Sequence, residues 1–253
     1  TNGVTQHAKA EVAAPDERAP YLTAQPDFAR GRTVREAWLA MLGDLNICSQ
    51  KGLVERFDGT IGASTILAPY GGVYRDSPNE AMAALIPTEG ETTTATLMSH
   101  GYDPYLSEWS PFHGAVYAVT ESLAKICAAG GDVSCARLTF QEYFERLNKA
   151  PLSWGKPAAA LLGAFAAQIG MGVAAIGGKD SMSGSFDDLD VPPTLVSFAL
   201  AMSKASNTIS ASLKRAGTTI LLIPMPVINK TRMPDFDRAR VMYRQFHFLS
   251  QEG

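Results

Sequence analysis

The chain has 253 residues, 22 Lys and Arg against 25 Asp and Glu (net charge −3), 46% hydrophobic and 19% charged residues, which excludes whole-chain disorder. With no basic block, nucleic acid has no footprint. Three unpatterned cysteines, Cys48, Cys127 and Cys135, suit a reducing compartment better than a disulfide scaffold, and without a membrane-length apolar run or a secretory signal a soluble cytoplasmic protein is expected.

Residues 1–32 are polar and proline-punctuated, an extended arm ordered only where something docks it. Thr33-Val34-Arg35-Glu36 fits a capping box, and Val34, Ala37, Trp38, Met41, Leu42 and Leu45 recur at helical spacing behind it. A short helical piece is predicted over Leu53–Phe57. Strands are predicted over Ile61–Leu67, Ala81–Ile86 and Thr92–Met98, with a turn-rich loop at Pro69–Gly72. The clearest helix spans Phe112–Ala128 and stops at Gly130-Gly131. Beyond it the pattern predicts a strand at Cys135–Phe140, helices at Gln141–Leu147 and Ala158–Ile169, and a buried strand at Val173–Ile176. A loop follows over Gly177–Asp190, then a strand at Leu195–Met202, a helix at Ile209–Arg215, a strand at Thr219–Ile223 and a terminal helix at Asp235–Leu249. Alternating strands and helices give an α/β or α+β class with a mixed sheet.

The segment with most chemistry is Ile176-Gly177-Gly178-Lys179-Asp180-Ser181-Met182-Ser183-Gly184. Paired glycines at a strand end let backbone N–H groups approach an anion. Lys179 adds a point charge, Asp180 suits magnesium, and the serines suit phosphate oxygens. It is not a Walker loop, and a plain surface turn is the bland alternative. Gly170-Met171-Gly172 satisfies a loosened dinucleotide fingerprint, but it follows a helix, so helix-capping glycines explain it better. Asp187, Asp188 and Asp190 read as a solvated loop rather than a metal site, since no companion ligands stand at metal spacing. His100 and His113 show no zinc pattern. Glu121 and Lys125 read as an exposed i,i+4 pair worth about 0.2–0.5 kcal/mol.

Several segments together resemble phosphoribosylformylglycinamidine synthase, an ATP- and glutamine-dependent ligase of purine synthesis. They are the runs from Asn46 to Asp58, Ser110 to Val116, Leu138 to Phe144, Gly177 to Ser183 and Asp190 to Val196. The resemblance covers roughly 33–253. It implies an aminoimidazole-ribonucleotide-synthetase-like fold: an N-terminal subdomain over 33–206 with a mixed four-stranded sheet, then the beginning of a C-terminal subdomain over 207–253, with 1–32 as a linker arm. The chain, which starts without methionine and ends at Gln251-Glu252-Gly253, then reads as a fragment from the second half of a longer enzyme, inactive alone. Its expected partners are the remaining subdomains, a glutaminase domain and, for the fragment, a second copy; nucleic acid and membrane are not expected.

The resemblance further implies that Gly177, Gly178, Lys179 and Asp103 approach a nucleotide and Ser181 the substrate phosphate, with ATP and Mg2+ as cofactors and Asp180 and Glu121 as metal ligands. No catalytic residue is expected in this stretch. In large members a second, non-catalytic nucleotide site takes magnesium through an aspartate, a glutamate and an asparagine. Glu121 matches the glutamate, but Lys125 stands at the asparagine and Ala81 or Glu80 at the aspartate. That auxiliary site is therefore expected to be degenerate, with Lys125 supplying the metal's charge. The rival reading is a non-catalytic scaffold or regulatory domain that keeps the fold. A nucleotide-binding module of selenophosphate or thiamine-phosphate synthesis fits the segment order less well.

Overall fold

The capping box forms as the sequence predicts. In the computed structural model, which describes residues 9–15, 21–56 and 64–252, Thr33 accepts from the Glu36 backbone and Glu36 accepts from the Thr33 N–H at 2.9 Å. Helix α1 (Val34–Leu42) follows, yet it buries none of its residues, and Trp38, Leu39 and Leu42 stay exposed. Helix α2 is Lys51–Val54, earlier than the predicted Leu53–Phe57, of which Phe57 lies outside the described residues.

The strand β1 (Thr65–Leu67) keeps the end of the predicted Ile61–Leu67, whose first three residues lie outside the described ones. A small ribbon, β2 (Tyr70–Gly71) with β3 (Ser77–Pro78), occupies the turn-rich loop. Then come β4 (Ala81–Leu85), β5 (Thr94–Gly101), α3 (Pro104–Trp109) and α4 (Pro111–Ala128). They are followed by β6 (Arg137–Tyr143), α5 (Pro151–Met171), β7 (Ala174–Lys179), a ribbon of β8 (Ser185–Phe186) and β9 (Leu189–Asp190), β10 (Thr194–Lys204) and α6 (Phe236–Glu252). The main sheet has six strands rather than the expected four, in the order β1-β4-β5-β10-β6-β7. All its pairings are antiparallel except β6 with β7, which α5 connects as a crossover. The mixed class holds.

Alternation sorts each strand into two faces. Leu97, Leu138, Leu195, Ala199 and Ala201 lie buried beneath α4 and α5 with Val116, Val119, Leu123, Ile126, Ala164 and Ala167. The opposite face carries Met82, Met98, Leu200 and Met202, all exposed. Small residues set the spacing of the helices. A Cβ at Gly163 on α5 would collide with the Phe112 carbonyl oxygen of α4.

Three predicted elements are corrected. Gln141–Leu147 is not a helix: β6 runs on to Tyr143 because β10 and β7 hold it from both sides (Tyr143 opposite Thr194, Gln141 opposite Lys179), and sheet pairing overrides local helical preference. Neither the helix at Ile209–Arg215 nor the strand at Thr219–Ile223 forms. Ile220, Leu221 and Leu222 are exposed and meet no strand among the described residues, and an unpaired strand has no ladder to hold it. Helix α5 also begins at Pro151, well before the predicted Ala158, since proline is favourable in a first helical turn; Pro157 is carried inside it. Gly172 caps its end at φ +69°, the capping role expected of these glycines.

The arm docks through its described parts. The Ala13 N–H donates to the Pro151 carbonyl at 3.1 Å, the Tyr21 ring stacks on His113, and Phe28 meets Tyr105 edge-on. Among the described residues no helix is long and apolar enough to cross a membrane. Because Gly163 sits where α4 and α5 touch, Gly163→Ala is expected to cost roughly 1–3 kcal/mol, read as a lower midpoint in denaturant unfolding.

Candidate phosphate-binding site

β7 is an edge strand, so one side of its backbone has no strand partner among the described residues. Gly177 takes φ +155° with open space around it, a conformation side chains rarely adopt. Gly178 is needed for a different reason: a Cβ there would stand 2.5 Å from the Phe140 carbonyl oxygen. Beyond Lys179 the chain keeps following β6. The Ser181 N–H donates to the Glu142 carbonyl at 3.0 Å, Phe144 N–H to Ser181 at 2.9 Å, and Gly184 N–H to Phe144 at 2.9 Å.

These bonds hold the predicted loop as a fixed ledge. The Ser181 and Ser183 hydroxyls stand 3.1 Å apart on it, and the N–H groups of Met182 and Ser183 find no acceptor among the described residues. The Lys179 ammonium donates to the Asp180 carbonyl at 3.2 Å and pairs with no carboxylate among the described residues. Open N–H groups, two hydroxyls and a cation with no described carboxylate partner, on one exposed edge, suit an anion. Asp187, Asp188 and Asp190 belong to the β8–β9 ribbon, where Asp190 accepts from Ser185 at 2.5 Å.

One residue at this ledge carries no role in the sequence reading. Glu142 on β6 is only 7% exposed, and its carboxylate has no hydrogen-bond or ion-pair partner among the described residues. Burial pushes its carboxyl up to about 7, with the neighbouring Asp180 charge adding to the effect. The signal was present: in Leu138, Phe140, Glu142 a carboxylate stands where strand alternation calls for an apolar side chain.

The remaining candidates lie elsewhere on the sheet end. Gly101, Ser197, Phe140 and Gly178 follow one another in register across β5, β10, β6 and β7. Three interstrand steps at ~4.8 Å put the end of β5 about 14 Å from Gly178. Asp103 sits there as the N-cap of α3, accepting from the Leu106 N–H at 2.9 Å. Glu121 accepts from the Tyr102 N–H at 3.0 Å. The predicted i,i+4 pair with Lys125 forms at 2.7 Å, but its lysine is not on an exposed face: Lys125 is only 16% exposed and also reaches Glu80 at 2.9 Å. Burial works against the Lys125 charge, but hydrogen bonds to Glu121 and Glu80 outweigh it and raise the ammonium above its ordinary value. Burial, then the Lys125 charge, lowers His100 beside it.

Metal ligation by Glu121 therefore does not fit, because an ammonium already fills the space between the carboxylates. Asp180 is not joined to Glu121, and no group of three metal-ligating side chains occurs among the described residues.

The raised Glu142 carboxyl has a defined sign. A group protonated in the fold but ionised in the unfolded chain removes stability as pH rises from its ordinary 4.5 toward 7. Glu142→Gln is expected to lose that decline, so the variant gains on the parent between pH 5 and 8 in denaturant unfolding. An unchanged difference across that range would contradict the assignment.

Comparison with known proteins bears on the fold. No protein-family model matches the chain. A curated relative, phosphoribosylformylglycinamidine synthase subunit PurL of Picrophilus torridus, is 20% identical over 103 residues, 41% of this chain and 14% of the relative. Among solved structures, PurLQS of Thermotoga maritima superposes with TM-score 0.58 at 19% identity, covering 80% of this chain and 30% of that one. PurL of the same organism complexed with ATP gives 0.55 at 18% identity over 80% and 30%, and complexed with FGAR 0.56 at 17% over 80% and 29%. The chain thus spans about a third or less of the length of each relative. Its six-stranded mixed sheet with helices on one face is a PurL-like fold, similar to that of these solved structures.

Proposed function

We propose that this chain is one wall of the phosphate and nucleotide site of a phosphoribosylformylglycinamidine synthase. That enzyme would convert formylglycinamide ribonucleotide to formylglycinamidine ribonucleotide with ATP and glutamine. The observation that carries the reading is the Gly177–Ser183 ledge: an edge strand with open N–H groups, paired hydroxyls and an ammonium free of any described carboxylate. In such a reaction the formyl amide oxygen attacks the γ-phosphate of ATP, and ammonia displaces the phosphate. Phosphoryl transfer asks the protein chiefly for positioning and charge neutralisation.

In this reading Gly177 and Gly178 admit a phosphate to the backbone, Lys179 neutralises it, and Ser181 donates to the substrate phosphate. Glu142, buried beside them with its carboxyl raised to about 7, is protonated below neutral pH and there offers a hydrogen-bond donor rather than a repelling charge. Asp180 would take part in holding magnesium, which is commonly bound by one or two carboxylates together with phosphates and serves to screen their charge. Asp103 is reserved for capping α3, which leaves it a lesser part in nucleotide contact.

The exposed sheet face of Met82, Met98, Leu200 and Met202 is the surface for a sister copy of the fold, either elsewhere in a longer polypeptide with its glutaminase domain or on a second chain. If the chain pairs with itself there, Leu200→Lys is expected to shift sedimentation from dimer to monomer.

Titration calorimetry with ATP and with formylglycinamide ribonucleotide tests the ledge. Removing a charged hydrogen bond costs about 1.5–3 kcal/mol, so Lys179→Ala is expected to weaken ATP binding roughly 10- to 100-fold. Ser181→Ala is expected to weaken the ribonucleotide instead. Unaltered affinities, with unaltered kcat/KM when the changes are made in a complete enzyme, would favour a non-catalytic scaffold.

A further inference from the structure

The ledge is clamped from one short stretch of chain, the connection between β6 and α5. The Phe144 N–H donates to the Ser181 carbonyl and the Phe144 carbonyl accepts from the Gly184 N–H, each at 2.9 Å. The Arg146 N–H donates to the Ser185 hydroxyl, also at 2.9 Å. Between these two clamping residues stands Glu145. Its carboxylate pairs with the Lys156 ammonium of α5 at 2.5 Å, and the two side chains are only 14% and 15% exposed.

An ion pair this well shielded is little screened by salt, and breaking it from one side leaves a buried charge without a partner. The start of α5 is held separately. The Asn148 side chain accepts from the Ala150 N–H at 2.7 Å and from the Ser153 hydroxyl at 3.2 Å, and its carbonyl takes the Trp154 indole N–H at 2.8 Å. The arm adds a further hold, since the Ala13 N–H donates to the Pro151 carbonyl and the Ala13 carbonyl lies against Gly155, where a Cβ would stand 1.7 Å from it. Helix α5 is therefore anchored without Lys156. What the pair adds is a link from that anchored helix to the backbone on which Ser181 and Gly184 hang.

We propose that Glu145 and Lys156 are positioning residues, whose ion pair fixes the Phe144–Arg146 backbone against α5 and so sets where the Ser181 hydroxyl meets a substrate phosphate. The inference rests on the reading of the Gly177–Ser183 ledge as a phosphate site and adds to it two residues set back from the ledge. A hydroxyl displaced from its place loses much of a charge-assisted hydrogen bond, because such bonds weaken steeply with distance and angle. Stability alone is a weaker reason for the pair, since apolar side chains of similar volume often replace a shielded ion pair without loss.

The experiment uses the full chain and two readouts, amide hydrogen exchange at Phe144 and Gly184 and calorimetric titration with formylglycinamide ribonucleotide. Lys156→Met is expected to speed exchange at both amides and to weaken the ribonucleotide, each roughly tenfold. Lys156→Arg, which keeps the pair, is expected to behave as the parent does. Adding Glu145→Leu to Lys156→Met removes the orphaned charge. The denaturant midpoint of that double variant is expected to return toward the parent's, while exchange stays fast and the ribonucleotide stays weak. If Lys156→Met does not fold, the double variant carries the comparison. A merely structural pair gives the opposite result, affinity recovering together with stability, and that outcome overturns the proposal. A ribonucleotide affinity lowered by Ser181→Ala but untouched by Lys156→Met overturns the proposal alone. A parent that binds no ribonucleotide overturns the reading of the ledge, and the proposal with it.

Discussion

Helix α4 rests on the sheet through a seam of small residues, and the positions of the other parts follow from that closeness. Ser99 of β5 donates to the Ser122 carbonyl at 2.6 Å, and the Ser122 and Ser197 hydroxyls meet at 2.9 Å. Gly101 has no room for a side chain between Ala118 and Ser122. Larger residues here would lift the helix away from the β5–β10 ladder. Buried hydroxyls are tolerated because each finds a partner, and a partnered polar group avoids the desolvation cost of an orphan. With α4 held this low, Glu121 can reach the Tyr102 backbone and Lys125 can reach across to Glu80.

The crossover through α5 fixes the other end of the sheet. Because β7 is parallel to β6 it needs a long connection, and α5 provides it while covering the same face as α4. The strand that results is an edge, and edges usually need protection. This one is narrow in side chain, with Gly177 and Gly178 in place of bulk, and it turns at once into a segment tied to Glu142 and Phe144. The rigidity of the ledge comes from β6, whereas its openness comes from the missing neighbour on the far side. An anion site needs both at once.

Much of this order is legible in the sequence, and the misreadings turn on strand partners distant in the chain. The capping box at Thr33 and Glu36, the span of α4 and the αL cap at Gly172 are encoded within a turn or two of chain. The helix read over Gln141–Leu147 failed because two strands distant in sequence claim that backbone. The strand read over Thr219–Ile223 failed for the opposite reason, since its apolar pattern lacks a described neighbour to pair with. The Gly177–Ser183 ledge was visible by composition. Glu142 was hidden by the same mistaken helix, because only strand alternation turns it inward. Asp103, which only the resemblance brings to notice, stands in the fold as the N-cap of α3.

Two lysines show how the same residue type divides between structure and chemistry. Lys125 is well shielded, carries two carboxylate partners, and spends its charge within the fold. Lys179 is exposed on an edge strand and among the described residues touches only a carbonyl oxygen, which leaves its charge available to an anionic ligand. Spacing alone does not separate them, because Lys125 reads as an ordinary i,i+4 partner and Lys179 as an ordinary loop cation. What separates them is the count of anions within reach. A cation that the fold has already neutralised holds elements together, and one left unneutralised beside open backbone N–H groups marks where an anionic ligand belongs.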